Sequence, residues 1–256
     1  MRRLHLFEFN DQPWFPQVLR DGETAYLAAA YRLAPLARLW AEKIVAALHP
    51  GDRMEILDLC SGAGGPVPAV IDELERLGCK ASVTLTDLYP NTQTAAHLRM
   101  AWLSKPVDAT CVPPELPGTR TMFTAFHHFR LEAARAILGD AFRRRRSICI
   151  FEAGSGGLTG VATMLLVPLN VLAMMPFARP FRWTNLLFTY LIPLLPLILF
   201  WDGVVSMLRM YSPEQMQELT QDLQAPDYDW AAGRIRARGI PGGLPYIIGR
   251  AAGDRV

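Results

Sequence analysis

The sequence predicts an α/β domain built on a doubly wound, mostly parallel seven-stranded sheet that closes with an antiparallel C-terminal hairpin. Three observations predict it. Short apolar runs alternate with helical stretches from about residue 54 to 152, a rhythm that belongs to a parallel sheet covered on both faces. The first run ends in a turn of small residues, Cys60-Ser61-Gly62-Ala63-Gly64-Gly65. Two strand-like runs then flank Gly239, Pro241, Gly242 and Gly243 near the end of the chain, a connection suited to a hairpin.

In chain order, Glu23 to Leu48 is rich in Ala and Leu at helical spacing, and Pro35 divides it into two lead-in helices. Met54 to Leu59 reads as the first strand and Val67 to Leu77 as the helix after the small-residue turn. Ser82 to Asp87 is the second strand, carrying the β-favouring Val83, Thr84 and Thr86. A helix through Ala95 to Leu103 and a short strand near Asp108 to Val112 are expected next, with Pro113, Pro114 and Pro117 ending that strand. Thr121 to Phe126 is a strand, Leu131 to Phe142 a helix and Ser147 to Glu152 a strand. Ser212-Pro213-Glu214-Gln215 reads as a capped helix start, and Tyr228 to Ile235 and Leu244 to Ala251 are the hairpin strands.

At 256 residues the chain holds one α/β domain with additions. Its net charge of +2 leaves no long-range field that points to nucleic acid, so no nucleic-acid partner is expected. Cys60, Cys79, Cys111 and Cys149 lack CxxC spacing, and no compact Cys/His set marks a metal site in the sequence. Met1-Arg2-Arg3 is basic, but Glu8, Asn10 and Asp11 interrupt what would be the core of a signal peptide. The expectation is a domain that stays inside the cell.

Ligands of such a sheet settle at the carboxyl ends of its strands. There lie Asp58 and the small-residue loop, Asp87 after the second run, Asp108 near the third, His127-His128 after the fourth and Glu152 at the fifth. Asp87 can also be read as a helix cap, and Asp108 as turn chemistry beside the prolines. One histidine serves as the general base in this reading, because histidine changes charge near neutral pH, and the other packs structurally. Glu152 assists it or orients an acceptor. The segment Phe7 to Phe15 is either a lid over the pocket or a strip packed on the lead-in helices.

On these residues the sequence resembles the class I S-adenosylmethionine-dependent methyltransferases, over about residues 54 to 152 and the closing hairpin. The resemblance implies a Rossmann-like sheet, S-adenosyl-L-methionine as cofactor and methyl transfer as the activity. It implies that Asp58, Cys60, Ser61, Gly62 and Gly64 hold the methionine part. Asp87 with Leu88 would take the ribose, and Asp108 with Ala109 the adenine. Cys60 stands where the family usually has the first glycine of the loop. The spacing Gly62-Ala63-Gly64-Gly65 also misses the dinucleotide fingerprint, which leaves an NAD-dependent oxidoreductase as an alternative. A non-catalytic membrane interaction protein on a cofactor-binding fold is another. In domain terms, residues 1–50 are the N-terminal lid and helices, and residues 51–256 the methyltransferase domain, interrupted by an apolar insertion at 158–205.

Between Glu152 and Asp202 only Arg179 and Arg182 are charged, and they separate two apolar stretches, Val161 to Phe177 and Leu186 to Trp201. Each falls below the roughly 18 to 20 residues that cross a bilayer, and prolines interrupt them. Two full crossings would carry both arginines away from the cytoplasmic side. A shallow hairpin on the cytoplasmic face of a membrane avoids that conflict, with an oligomer interface or a buried helical pair as the other use of the segment. The expected acceptor is a hydrophobic small molecule reaching the pocket from lipid. Arg143 to Arg146 precede the fifth strand and are expected at the opposite edge of the sheet.

Overall fold

The computed structural model describes residues 3–49, 51, 53–90 and 100–252. Helices α1 (Gln17–Leu33) and α2 (Leu36–Leu48) come first. Ala34, ahead of Pro35, is extended and breaks them apart, because proline crowds the helical conformation of the residue before it. The core then runs β1 (Arg53–Asp58), α3 (Val67–Arg76), β2 (Lys80–Leu85), β3 (Ala101–Trp102), β4 (Thr119–Phe123), α4 (Leu131–Arg143) and β5 (Ile148–Phe151). The insertion holds α5 (Gly157–Met164), α6 (Val167–Met174), α7 (Trp183–Leu186) and α8 (Leu194–Arg209). The chain closes with α9 (Pro213–Glu218), β6 (Tyr228–Ile235) and β7 (Leu244–Ala251).

The strands form one sheet in the order β3-β2-β1-β4-β5-β7-β6. Pairings from β3 across to β5 are parallel, and only β7 runs against its neighbours. Alternation along each strand divides the core between two faces. On β5, Cys149 and Phe151 pack with Trp40, Ile44 and Leu74 of α2 and α3. Ile148 and Ile150 pack on the other face with Ile137 and Leu138 of α4 and with Met216 of α9. Trp40 is fully buried against Phe123, ring centroids 5.4 Å apart. The hairpin needs Gly243 at φ 68°, where a Cβ would stand 2.9 Å from the carbonyl oxygen of Ile235. Helix α9 opens on the expected capping box, Ser212 and Gln215 bonding reciprocally at 3.3 and 3.0 Å.

Three expectations are corrected. Residues 108–112 form a turn, and the third strand is the two-residue β3, which pairs with Thr84 and Leu85 of β2. Ala101 and Trp102 therefore do not continue a helix, and the rest of that expected helix, through residue 99, lies outside the described residues. The lead-in helix begins at Gln17, six residues before Glu23. Arg144 sits at the opposite edge as expected, where its Nε meets Asp140 Oδ1 at 3.0 Å.

The insertion forms bent pairs of helices, not two straight rods. The first pair bends by 45° after Met164 and the second by 82° after Leu191. Among the described residues, no single helix is long and apolar enough to cross a membrane. A third core cluster joins Val171, Leu195 and Leu199 of the insertion to Phe15, Leu19 and Ala29 of the N-terminal region.

Candidate active site

At the carboxyl end of β1 the chain turns back through three glycines and a cysteine in left-handed conformations: Cys60 (φ 57°), Gly62 (52°), Gly64 (87°) and Gly65 (44°). A Cβ added at Gly62 or Gly65 would meet nothing within 4 Å, so the loop presents bare backbone to open space. Cys60 keeps the turn that glycine would otherwise make. Burial pushes its thiol far above the usual range, which makes it a packing residue and not a nucleophile.

Asp58 is buried and fully bonded. Its Oδ1 accepts from Thr121 at 2.7 Å and its Oδ2 from Ser61 at 2.6 Å. Burial raises its carboxyl to about 7, although both hydroxyls oppose the shift. Asp58 thus braces the loop from beneath. Asp87, two residues beyond the end of β2, accepts the Gly62 N–H on Oδ2 at 2.8 Å and the Tyr89 N–H on Oδ1 at 2.9 Å. It is only partly buried and keeps lone pairs for a ligand's hydroxyls. Leu88 beside it is exposed. Asp108 receives the N–H and hydroxyl of Thr110 at 2.8 and 2.7 Å, and Ala109 is buried beside it. The turn reading of Asp108 thus has direct geometric support.

One strand away, the fourth and fifth strands deliver the second half of the site. A short 3-10 turn, Phe126–His128, follows β4, and Glu152 follows β5. Glu152 is 0% exposed; its Oε1 accepts the His127 N–H at 2.9 Å and its Oε2 lies 2.8 Å from His127 Nδ1. A carboxylate only accepts. The hydrogen therefore sits on Nδ1, and the lone pair of His127 is on Nε2. The His128 ring lies tilted beside it, centroids 4.3 Å apart, with Nδ1 3.3 Å from both Asp11 Oδ1 and Arg209 Nη1.

Sequence reasoning missed the residues that complete this half. Glu8, Asp11 and Arg209 are brought to the histidines by the N-terminal segment and the end of α8. Arg209 Nη1 bridges Asp11 Oδ2 at 2.8 Å and Glu8 Oε1 at 3.1 Å. Ser206 donates to Glu8 Oε1 at 3.0 Å. Asp202 accepts the N–H groups of Phe9 and Asn10 at 2.8 and 3.1 Å. Burial raises Glu8 to about 7. Burial alone would raise Asp11 too, but His128 and Arg209 outweigh it and hold that carboxyl well below the usual range. The N-terminal segment is thus clasped to α8 and reaches the histidines, while Phe15 also packs with Leu19 and Ala29 of α1. The segment thus has the packing expected of a strip on the lead-in helices, and it also contacts His128 through Glu8 and Asp11. The only signal in the sequence was acidic residues spaced through an aromatic run.

No protein-family model matches the sequence, and no curated protein matches it significantly. Solved structures do. The plantazolicin methyltransferase BpumL in complex with SAH aligns with a TM-score of 0.57 at 10% identity, over 95% of this chain and 92% of that one. The same enzyme with a pentazolic desmethylPZN analog and SAH gives 0.52 at 10% identity, over 92% and 99%. The plantazolicin methyltransferase BamL with a triazolic analog and SAH gives 0.51 at 11% identity, over 91% and 98%. This chain has the class I methyltransferase fold. Within that fold, the loop braced by Asp58 and the His127–Glu152 pair occupy the carboxyl edge, where α/β sheets receive their ligands.

Proposed function

We propose that this protein is an S-adenosylmethionine-dependent methyltransferase acting on a lipid-soluble acceptor taken from a membrane face. The observation that carries the cofactor reading is the Gly62–Asp87 bond, which fixes an acidic group against an open, backbone-lined loop. The donor set fits: small residues give close approach, and Asp87 retains acceptor capacity for ribose hydroxyls. When bound, S-adenosylmethionine would supply a methyl carbon for in-line displacement, with the C–S electron pair leaving on sulfur. The protein's part is alignment and proton removal. Glu152 fixes the tautomer of His127 so that Nε2 faces the acceptor side as a base. His128 Nδ1 lies between Asp11 Oδ1 and Arg209 Nη1, each at 3.3 Å.

The membrane reading is supported by where the apolar surface lies. Leu165, Leu166 and Leu169 at one bend, and Tyr190, Leu191 and Leu197 at the other, are exposed, as are Phe177 and Trp183 between them. An exposed apolar patch of that kind marks a contact with lipid or a partner. Helix α8 runs from this surface and packs on the histidine turn, which supports an apolar acceptor moving from lipid towards the site. Position on the cytoplasmic face remains part of the proposal.

Isothermal titration with S-adenosylmethionine and with NAD tests the cofactor reading. Micromolar binding of the first alone supports it, and binding of NAD alone refutes it. Flotation with liposomes tests the second part: wild type should float, and Leu165→Lys/Leu169→Lys should remain at the bottom with unchanged S-adenosylmethionine affinity. Equal flotation of both would refute the membrane assignment.

A further inference from the structure

The acceptor side holds more fixed ligating atoms than proton transfer requires. One ligating atom from each of Glu8, His127 and His128 lies within 4.8 Å of the other two, the one such trio among the described residues. In each residue the remaining polar atom is already held. His127 gives Nδ1 to Glu152 at 2.8 Å, and His128 Nδ1 lies 3.3 Å from both Asp11 Oδ1 and Arg209 Nη1. Glu8 gives Oε1 to Arg209 and Ser206. What is left over is the Nε2 lone pair of His127, one ring nitrogen of His128 and one carboxylate oxygen, Glu8 Oε2, which stands 3.9 Å from His128 Nε2.

We infer that Glu8, His127 and His128 form a binding site for one divalent transition-metal ion, with its open coordination positions towards the acceptor. Two imidazoles and a carboxylate suit zinc, iron(II) or manganese(II), whereas calcium and magnesium prefer all-oxygen shells. The Glu152 carboxylate behind His127 Nδ1 is the outer-shell arrangement that orients a ligating histidine and fixes its tautomer. The Arg209 and Ser206 bonds to Oε1 leave Glu8 a one-oxygen ligand. Glu8, Asp11 and Glu152 face Arg209 and Arg3, which bonds to the carbonyl oxygens of His127 and Arg209. Ligand atoms bound at ~2.0 Å in a tetrahedron stand about 3.3 Å apart, so closing on an ion takes about an ångström of side-chain movement. The ion's role rests on the methyltransferase reading: with the histidine nitrogens spent as ligands, it would replace the histidine base by holding the acceptor's heteroatom and easing loss of its proton.

The test uses untagged full-length protein stripped with a chelator. Titration with Zn²⁺ by calorimetry and with Co²⁺ by visible absorption should each give one site of micromolar affinity or tighter. Glu8→Gln should weaken both by tenfold or more while leaving circular dichroism and S-adenosylmethionine affinity unchanged. Asp11→Asn, behind His128, should weaken them by about tenfold. Should Glu8→Gln fail to fold, His128→Asn, at a third-exposed side chain, supplies the same readout. No saturable ion binding, or undiminished binding in these variants, overturns the site. Protein that takes S-adenosylmethionine but neither ion refutes the metal site alone; protein that takes an ion but no S-adenosylmethionine refutes the cofactor reading and leaves the site standing.

Discussion

Glu152→Gln is the perturbation that most directly probes the acceptor side. The wild-type carboxylate satisfies two donors of one residue, the His127 N–H at 2.9 Å and Nδ1 at 2.8 Å. Glutamine offers one accepting oxygen and an NH₂ group that only donates. If the oxygen keeps the backbone N–H, the NH₂ faces Nδ1 and is satisfied only when that nitrogen carries a lone pair. The imidazole hydrogen then moves to Nε2, so the ring turns from base to donor. Leaving Nδ1 protonated would instead set two buried donors against each other, at about 1–3 kcal/mol. Loss of a positioned base slows turnover by about 10²–10⁴-fold, or roughly 3–5 kcal/mol of barrier. Labelled-methyl transfer should show that fall in kcat with S-adenosylmethionine affinity unchanged, and ¹⁵N NMR should show the His127 hydrogen on Nε2. Turnover within threefold of wild type, with Nδ1 still protonated, would refute the tautomer argument.

Asp87→Ala should weaken S-adenosylmethionine binding tenfold or more, about 1.4 kcal/mol; an unchanged calorimetric affinity would remove Asp87 from the site. Glu23, 2% exposed and with neither oxygen hydrogen-bonded, has its carboxyl raised by burial to about 8. Because the folded value lies above the unfolded one, its contribution to stability is full below about pH 4.5 and is lost as pH rises through 8. Glu23→Gln should therefore gain about 2–4 kcal/mol over wild type at pH 8.5 and little at pH 4 in urea unfolding; equal gains at both would contradict the ionisation argument. Ser212→Ala removes one half of the capping box and should cost about 1 kcal/mol in the same assay, a loss that Ser212→Asp would largely restore.

Much of the fold could be read because its signals are local. The hairpin strands were expected at Tyr228 to Ile235 and Leu244 to Ala251, and they occupy those bounds, since alternation and a glycine-rich turn fix both register and ends. The third strand left no such trace. Ala101 and Trp102 are extended only because β2 supplies their hydrogen-bonding partners, which two residues of sequence cannot announce. The site divides in the same way. Asp58, Gly62 and Asp87 stand at strand ends that the pattern located. Glu8 and Arg209 are functional candidates only through contacts across the fold; Arg209 and Asp11 lie 198 residues apart in sequence. No local propensity records such a meeting.

That separation sets an order of events. A ribosome makes the N-terminal segment first, yet its anchors, Asp202 and Arg209, emerge only with the last helix of the insertion. Glu8 and Asp11 must therefore wait until five of the seven strands have been made before they can dock, and the entropic penalty of closing so long a loop grows only slowly with its length. Contacts of such long range form late in folding. The nascent chain can thus assemble its cofactor loop while the histidines still lack their acidic neighbours, so competence for chemistry would arrive only with that late clasp.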